Sequence, residues 1–578
     1  MLAWGDESGR ARKTPPAALT PGRKKNPLRG IMRWSSSPDS PVAVAVVLAW
    51  GVMATSGRAS EGAGSEWVHP GADGKLVYRT TPAGDRIMDF SHAGYRGGGV
   101  ALPDVPVKAT VQPGGGADDT AIIQTAIDRV AALPLQGGLR GAVLLAPGTF
   151  TCAGTITIAT SGVVLRGGGS GAAAHGAITT LKLSGAPHNA ITVRAPGSGR
   201  DQRTVDDDAG AAVRTTIADP YVPSGSRSFA VADATGFAVG DTIALQRPVT
   251  EAWVRFMGMH DLVREGKPQT WIRVGTTLTT ERRIAALQGH RIALDVPLAD
   301  SYDARYLNPP GTAVAKIRPA ARLTQVGIEF LHIESPPQEI SHDQPHFTAL
   351  RLTGEDCWVR DVVIAETMNS VAVGGRRHTL ERVTVNRKAK HQGSSRPAEF
   401  APNASQVLLD RCAVNADNVW FVASGAGVAG PIVILNGDFC GNARAESHQR
   451  WSTGILFDQC RAPDGGIELR NRGSMGSGHG WSMGWGVIWN CVAKDFLVQN
   501  PPGAANWLIG STGQRSVAPR PFGTGPALPA GIDDSPGRPV APASLYLTQL
   551  AERLGPAALA NIGYASTNPA SATPHRSL

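Results

Sequence analysis

The sequence is poor in cysteine, with six among 578 residues, and it contains no CxxC pair. Structural zinc sites are usually built on closely spaced cysteine pairs, so this absence argues against a zinc centre. No dense group of aspartates lies in the second half of the sequence either, and we therefore assign no metal ligands. The cysteines are Cys152, Cys357, Cys412, Cys440, Cys460 and Cys491.

The basic N-terminal region lacks a hydrophobic run of comfortable membrane-spanning length. Its apolar stretch at 41–54 is shorter than the ~20 residues that a transmembrane helix needs. Basic residues precede this stretch and small residues follow it up to Ala59, which is typical of a secretory signal. We therefore predict a leader over 1–59 that starts at Met1 or Met32, and a secreted or periplasmic protein with no stable membrane insertion after cleavage. An uncleaved anchor is the alternative.

The net charge of +9 is concentrated in this leader. Residues 1–59 contain nine Lys or Arg and three Asp or Glu, and so account for six of the nine positive charges. A nucleic-acid-binding domain carries its basic residues on the folded part of the chain. The near balance of charge beyond the leader therefore argues against a nucleic-acid partner.

Short apolar strings recur through the second half of the sequence, each with a polar residue after an apolar pair. The intervals between these polar residues are 21, 29, 26, 22 and 32, which is typical of a solenoid. Each string alternates with a period near two and is bounded by Gly, Asn or Asp, which predicts a strand and a turn. The sequence therefore predicts an all-β fold, a parallel β-helix over 106–515. The polar residues are Arg360, Glu381, Asp410, Asn436, Asp458 and Asn490.

Four of the cysteines fall at similar positions of this repeat. They are Cys412, Cys440, Cys460 and Cys491. We interpret them as small apolar groups that stack in the interior of the solenoid. Disulfide bonds between neighbouring coils are the alternative.

Several segments depart from the coil pattern. Residues 60–105 are an N-terminal extension, and the apolar spacing over 118–130 predicts a helix that caps the solenoid. Residues 201–315 alternate like antiparallel strands with glycine turns, which predicts an inserted β subdomain. The tail at 516–578 begins rich in Pro and Gly, and 544–555 predicts a helix that packs on the solenoid.

The start of the predicted solenoid resembles a known superfamily. The strings GGGADDTAIIQTAID and GAVLLAPGTFTCAGTITIATSGVVLRGGG (141–169) are similar to the first coil of the pectate-lyase superfamily, with Phe150 at a position that is usually tyrosine. The similarity covers 106–170 and implies a right-handed parallel β-helix. It implies function only broadly, because the superfamily includes polysaccharide lyases, glycoside hydrolases, epimerases and phage tailspikes.

Three loops between neighbouring strings contain the candidate site residues. Loops at a similar position of successive coils stack along one side of a β-helix, so residues far apart in sequence meet in one groove. We therefore expect the histidines of these loops, each with an arginine nearby, to converge. The loops are 385–406, 441–454 and the glycine-rich 471–486.

The resemblance and these loops together favour a polysaccharide lyase. A lyase abstracts the proton next to a uronate carboxylate and expels the glycosidic oxygen, which takes a base, a cation and a proton donor. We predict Lys390 or His391 as the base, and His448 or His479 as the proton donor or orienting group. The predicted partner is an acidic polysaccharide.

Substrate binding is predicted to rest on arginines and aromatic rings. A guanidinium binds both oxygens of a planar carboxylate, and it suits this task better than an ammonium group. Calcium is the one cofactor that the resemblance allows, because related lyases use it. The predicted substrate-binding residues are Arg396, Glu399, Arg450, Trp451, Arg472 and Trp481.

Two alternatives stay open at this point. A glycoside hydrolase would draw its two carboxylates from Glu399, Glu446 and Glu468, although the Asp-Asp and Asp pattern of the polygalacturonase branch is not evident. A non-catalytic carbohydrate-binding surface solenoid is the second alternative. In the glycine-rich loop, Trp481 and Trp485 either stack on sugar rings or pack over the groove floor.

Overall fold

The chain is wound into a right-handed parallel β-helix whose coils carry three sheets around one apolar interior. The computed structural model describes residues 64–171, 177–196, 213–318 and 321–565. The predicted leader lies outside the described residues. The predicted all-β class, with its parallel β-helix and inserted β subdomain, is confirmed.

The first coils include helix α1, which lies where the sequence predicts a helix. The Asp119 carboxylate precedes it but accepts from Gly114 N and Thr151 N, both at 3.0 Å, instead of capping the first turn. The buried side chains of Ile123 and Ile127 join the interior core, while the role of α1 as the end cap stays a prediction. This region comprises β1 (Val68–Pro70), β2 (Leu76–Tyr78), a 3-10 turn (Tyr95–Gly97), β3 (Val107–Val111), α1 (Thr120–Ala131), β4 (Gly141–Leu145), β5 (Gly148–Cys152), β6 (Ile156–Ile158), β7 (Val163–Gly167), β8 (Thr179–Leu183) and β9 (Asn189–Val193).

An antiparallel subdomain interrupts the coils after β9. Its six-stranded sheet has its own apolar core, in which three tryptophans of the insert and of the later coils meet. It comprises β10 (Arg214–Thr216), β11 (Tyr221–Val222), β12 (Ser228–Ala230), β13 (Thr242–Pro248), α2 (Glu251–Phe256), β14 (Val263–Arg264), β15 (Lys267–Pro268), β16 (Thr277–Gln288), β17 (Arg291–Leu294), β18 (Tyr302–Asp303), α3 (Ala304–Leu307) and β19 (Ala313–Lys316).

The later coils continue the three parallel sheets, which we number by the strands of the first coils: β4 and β7 belong to the first sheet, β5 and β8 to the second, and β6 and β9 to the third. The first sheet extends to β38, so its last strand lies beyond the predicted end of the solenoid at residue 515. The strands are β20 (Gly327–Glu329), β21 (His332–Glu334), β22 (Thr348–Glu355), β23 (Trp358–Ala365), β24 (Val371–Asn386), β25 (Ala398–Asp410), β26 (Ala413–Asn415), β27 (Trp420–Ser424), β28 (Ala429–Leu435), β29 (Asp438–Cys440), β30 (Arg444–Ser447), β31 (Ser452–Asp458), β32 (Arg461–Leu469), β33 (Met483–Gly484), β34 (Val487–Trp489), β35 (Val492–Val498), β36 (Trp507–Ile509), β37 (Thr512–Arg515) and β38 (Ile532–Asp534).

The corner between the first and second sheets explains the sequence repeat. In successive coils a residue with φ between 49° and 64° turns the chain there, and the next side chain points inward. In the first sheet, Asp410 pairs with Leu435 on the next strand, and Leu435 pairs with Asp458 on the strand after that. Asn436 and Asn490, two of the polar residues that mark the repeat in the sequence, therefore lie one residue later, at the corner itself. The corner residues are Phe330, Asp361, Arg382, Arg411, Asn436, Gln459, Asn490 and Gly510.

The cysteine ladder is confirmed in part. Cys412, Cys460 and Cys491 are buried at this corner, and all six cysteines are free thiols. The prediction is wrong for Cys440, which is exposed at the end of β29. In that coil Asn436 is the corner residue and Gly437 takes the position after it, whereas Cys440 lies three residues further along.

The outer surface of the first sheet is covered by the two ends of the described chain. The N-terminal extension and helix α4 (Leu545–Leu554) pack there in one apolar cluster, followed by α5 (Ala557–Asn561). Ser544 caps α4 by accepting from Leu547 N at 3.2 Å, and Gly555 ends it with φ 81°. This surface is thus occupied, and the third sheet is the one that faces the long loops.

Candidate functional site

The outer surface of the third sheet is bordered by long loops on one side and by the inserted subdomain on the other. On the loop side, Arg387 Nη2 donates to Gln338 O at 3.2 Å and joins two neighbouring loops. On the subdomain side, Arg282 Nη2 donates to Gly430 O at 3.0 Å. We call the outward side chains of β22, β24, β25, β27, β30 and β32 the third-sheet face.

Glu446 lies at the centre of a buried polar network on this face. Its neighbour Ala445 belongs to the interior core, so alternation along β30 turns Glu446 outward, where it is nevertheless fully buried. Glu446 Oε1 accepts a 2.6 Å hydrogen bond from Arg472 Nη1 and contacts Nδ1 of His448. Glu468 is the register partner of Glu446 on β32. We call Glu446, His448, Arg472 and His479 the Glu446 network.

The glycine-rich loop 471–486 folds over this network. The ring of His479 lies 4.8 Å from the ring of His448 in an edge-on arrangement. Gly476 has φ +57°, and a Cβ atom there would lie 2.2 Å from Nε2 of His479. Glycine is therefore needed at this position for backbone conformation and for space. Arg472 N donates to Gly480 O at 2.7 Å, so the loop is a closed turn and not a linker.

A half-buried tryptophan lies beside the network. The Arg396 and Arg472 guanidinium carbons are 5.3 and 4.9 Å from the centre of the Trp420 ring. The His448 ring is 5.4 Å from the same indole. The predicted Arg396, Arg472 and His448 are thus brought together around one aromatic ring that the sequence pattern did not single out, and His479 contacts His448.

Burial controls the protonation of this site. It raises the pKa of Glu446 to about 7, against the opposing charge of Arg472. It lowers the pKa of His448 well below the ordinary value and also lowers that of His479, with Arg472 adding to both shifts. Burial raises the pKa of Glu468 as well. The two imidazoles are therefore neutral at neutral pH.

Lys390 and His391, predicted as base, lie in the loop wall and not in the Glu446 network. Lys390 is exposed. His391 is buried, with Nε2 next to Ser395 O and Nδ1 3.3 Å from Asn418 Nδ2. The contact with Ser395 lies within one loop, and the contact with Asn418 connects that loop to the next one. His391 therefore stabilises the arrangement of these loops.

Arg450, Trp451 and Trp481 lie at the contact between subdomain and coils. Trp451 Nε1 donates to Asp300 Oδ2 at 3.0 Å, and Trp481 Nε1 donates to a backbone carbonyl of the subdomain at 3.0 Å. Arg450 Nε donates to Trp271 O at 2.8 Å. The two tryptophans are 3% and 2% exposed, so their rings pack between the two parts instead of facing solvent.

Glu399 lies on β25 of the same sheet and is fully buried. Its Oε2 atom accepts from Ser370 N at 3.3 Å and contacts Ser370 Oγ. Burial raises the pKa of Glu399 to about 7, which Ser370 and the nearby Arg387 oppose. No hydrogen-bond partner is present for Oε1 among the described residues.

Trp420 was missed from the sequence because of a register shift. The pairing of β27 with β30 skips one residue between Trp420 and Val422, and both Phe421 and Val422 join the interior core. Simple alternation would place Trp420 and Val422 on the same side. The signal in the sequence is the run of five apolar residues, 419–423, where a polar residue is expected.

The described residues contain no cluster of acidic side chains suited to calcium. No group of three or more His, Cys, Asp or Glu side chains suited to a metal ion lies in the described ranges, and Arg472 and Arg444 pair with carboxylates of the third-sheet face. Calcium therefore enters no step proposed below. Within the same ranges, no helix combines the length and the apolar character that a membrane crossing takes.

Comparisons with known proteins give distant structural similarities. The sequence matches no family model and no curated protein. The tailspike Gp54 of Acinetobacter baumannii bacteriophage AP22, solved with A. baumannii capsular saccharide, is 10% identical with a TM-score of 0.30, and the match covers 69% of this chain and 61% of the tailspike. This chain therefore spans less than two-thirds of that tailspike.

Two further solved structures show the same level of similarity. The tailspike gp49 from Pseudomonas phage LKA1 is 12% identical with a TM-score of 0.34, over 69% of both chains. The polygalacturonase from Erwinia carotovora ssp. carotovora is 12% identical with a TM-score of 0.24, over 72% of this chain and 95% of that one. The fold assignment rests on the chain's own three parallel sheets: this protein has the right-handed parallel β-helix that its first-coil motif implies.

Proposed function

We propose that this protein is an exported carbohydrate-active enzyme that cleaves a uronate-containing polysaccharide by β-elimination. One observation carries the proposal: a buried guanidinium and a neutral imidazole lie next to the half-buried Trp420 on the third-sheet face, in contact with a second neutral imidazole and a carboxylate. A flat indole suits the apolar face of a pyranose ring, and flanking guanidiniums suit its carboxylate.

In this proposal Arg396 and Arg472 neutralise the uronate carboxylate, which makes the hydrogen on the adjacent carbon more acidic. One imidazole of the His448 and His479 pair accepts that proton. The electron pair of the C–H bond forms a carbon–carbon double bond as the bond to the glycosidic oxygen breaks. The imidazolium formed in this way then donates the proton to the departing oxygen, which restores the neutral imidazole. Glu446 orients His448 through Nδ1 and offsets the charge of Arg472.

The acidic character of the substrate has separate support in unpaired arginines. Arg387 is buried, and its Nε and Nη1 atoms have no hydrogen-bond acceptor among the described residues. Arg351 is half-buried on the outer side of β22, and burial lowers its pKa without a compensating carboxylate. Cations in such positions favour an anionic chain along the third-sheet face.

The proposal is tested by offering the full chain a panel of uronate-containing polysaccharides and following two signals together. Elimination creates an unsaturated uronate that absorbs in the ultraviolet, and every cleavage also creates a reducing end. We expect both signals to rise in parallel, equally with calcium and with a chelator. If no acidic glycan gives ultraviolet absorbance in either condition, the lyase proposal fails.

A glycoside hydrolase is the second candidate, favoured by one observation. Glu446 and Glu468 are register partners on adjacent strands, and burial raises the pKa of both. Two neighbouring carboxylates, one protonated, are what glycoside hydrolysis takes. Reducing ends without ultraviolet absorbance would identify a hydrolase. Retention of the glycan without any product would identify the binding solenoid.

A further inference from the structure

An arginine without a counter-ion lies on the third-sheet face, several strands away from the Glu446 network. Arg351 projects outward from β22, where it alternates with Leu350 and Leu352 of the interior core. It is half-buried, and its guanidinium makes no hydrogen bond or ion pair within the described ranges. Burial lowers the pKa of Arg351 with no opposing carboxylate, since Glu399 of the same face acts on Arg387 instead.

The neighbouring imidazole does not supply the missing negative charge. His346 Nδ1 lies 2.8 Å from the carbonyl oxygen of Gln344 and therefore carries the ring proton, while Nε2 accepts from Asn369 Nδ2 at 3.0 Å. Burial lowers the pKa of His346, and the charges of Arg351 and Arg387 add to this shift. Two arginines thus act on one neutral ring, so the potential at this end of the face is positive and favours an anionic ligand group.

A row of small side chains joins Arg351 to the Glu446 network. Between these two ends, each strand of the third sheet contributes an alanine, whose methyl group is too short to obstruct a ligand lying along the sheet. Ala372 and Ala401 are half-buried. Four strand spacings separate the ends of the row, which is about 19 Å between backbone positions. In register order the row is Arg351, Ala372, Ala401, Ala423 and Glu446.

We infer that Arg351 is a second carboxylate-binding subsite, which holds a uronate several sugar residues away from the linkage that is cleaved. This inference rests on the acidic substrate of the proposed function. The Arg351 guanidinium pairs with the carboxylate of one sugar residue, and the chain crosses the alanine row to the Glu446 network. The protein therefore selects acidic chains that are long enough to reach both ends of the row.

The test compares a long and a short acidic ligand. The full chain carrying His448→Gln, which slows cleavage, is titrated by calorimetry with the trisaccharides and octasaccharides of galacturonate, mannuronate and glucuronate. A trisaccharide at the Glu446 network is too short to reach Arg351, whereas an octasaccharide is long enough. We expect at least one octasaccharide to bind about tenfold or more tightly than its trisaccharide, because it gains a charged contact.

Three further substitutions in this background locate the contact. Arg351→Gln should lower the advantage of the octasaccharide over the trisaccharide about tenfold, and Arg351→Lys should retain part of it. Both variants should fold, because Arg351 has no partner that its loss would leave unpaired. Arg129→Gln, at an exposed residue of α1, is the matched control and should keep the advantage unchanged. An octasaccharide with its carboxyl groups reduced to alcohols should not distinguish Arg351→Gln from the parent.

The inference is overturned if no octasaccharide binds more tightly than its trisaccharide, or if Arg351→Gln keeps the full advantage. Cleavage is followed separately, in protein with His448 intact. Binding that depends on Arg351 without any unsaturated product supports the subsite and contradicts the elimination. Unsaturated product together with binding that ignores Arg351 contradicts the subsite alone.

Discussion

At the scale of single residues, the site depends on burial more than on residue type. The sequence indicated that Arg472, His448 and His479 converge, because their loops stack at a similar position of successive coils. It did not indicate that Glu446 holds two of them, since its burial depends on the loop that folds over it. A carboxylate and a guanidinium in such a place stabilise only as a pair.

Loss of the Glu446 carboxylate should therefore be strongly destabilising. Glu446→Ala leaves the guanidinium of Arg472 buried without its acceptor, and we expect the free energy of unfolding to fall by about 3–5 kcal/mol. Urea unfolding measures the change. Glu251→Ala is the matched control, because its pair with Arg255 is exposed and worth ~0.5 kcal/mol at most. Equal effects of the two substitutions would contradict the structural role given to Glu446.

At the scale of elements, alternation predicted the strands well, and failed where the backbone breaks its period. Asn436 has a left-handed backbone conformation at the corner, so the repeat positions assigned to Asn436 and Cys440 were wrong. Because of the register shift in β27, alternation did not predict the position of Trp420. Both features depend on how neighbouring coils align, which a single string does not show. The corner also provides a test of backbone strain.

Gln459 has φ 56° at that corner, where a β-carbon is unfavourable. We expect Gln459→Gly to raise the free energy of unfolding by about 1 kcal/mol, because glycine adopts this conformation without strain. Gln514→Gly, on β37, is the control and should instead lower stability, since glycine weakens a strand. Chemical unfolding of both variants and of the wild type measures these changes in the free energy of unfolding. A loss in Gln459→Gly would show that the corner is not strained.

The C-terminal helix gives a pH-dependent prediction. Asp458 is fully buried and accepts from Ser544 Oγ and Tyr546 N, both at 2.8 Å. Burial raises its pKa to about 7, above the ~3.9 of an unfolded aspartate. The folded state then binds the proton more tightly, so stability is greatest below this window and falls as pH rises towards 7.

Unfolding of Asp458→Asn should accordingly depend less on pH than unfolding of the wild type. Each tenfold difference in proton affinity between the folded and unfolded states corresponds to about 1.4 kcal/mol. Thermal unfolding from pH 5 to 8 measures how stability changes with pH in the wild type and in the variant. The difference between the two pH dependences gives the contribution of Asp458, apart from that of the other buried carboxylates. Parallel curves would mean that the carboxyl is charged throughout this range.

At the scale of the whole molecule, the subdomain and the solenoid act as one structure through a shared apolar cluster. The sequence predicted an inserted subdomain but not which of its residues contact the coils. Trp481 and Trp451 of the coils pack against it, and each indole N–H donates to a subdomain residue. Contacts between segments so distant in sequence leave no periodic signal.

Removal of one of these tryptophans should loosen the subdomain selectively. Trp481→Ala deletes a ring that is 2% exposed, and we expect a loss of about 3–5 kcal/mol. Hydrogen exchange should rise in 213–318 more than in the coils. Phe522→Ala, at a residue 64% exposed, is the aromatic control. It should change neither the free energy of unfolding nor the hydrogen exchange of the subdomain. A uniform rise along the chain would contradict a local role.

The central claim is that the Glu446 network on the third-sheet face eliminates across a uronate linkage. Its most direct test is the initial rate of ultraviolet-absorbing product from the best acidic glycan, for the wild type, His448→Gln and His290→Gln, an exposed histidine of the subdomain. We predict that His448→Gln lowers the rate by about 10²–10⁴-fold, as expected for loss of a general acid or base, while His290→Gln retains it. A His448→Gln rate equal to that of the wild type would contradict the claim.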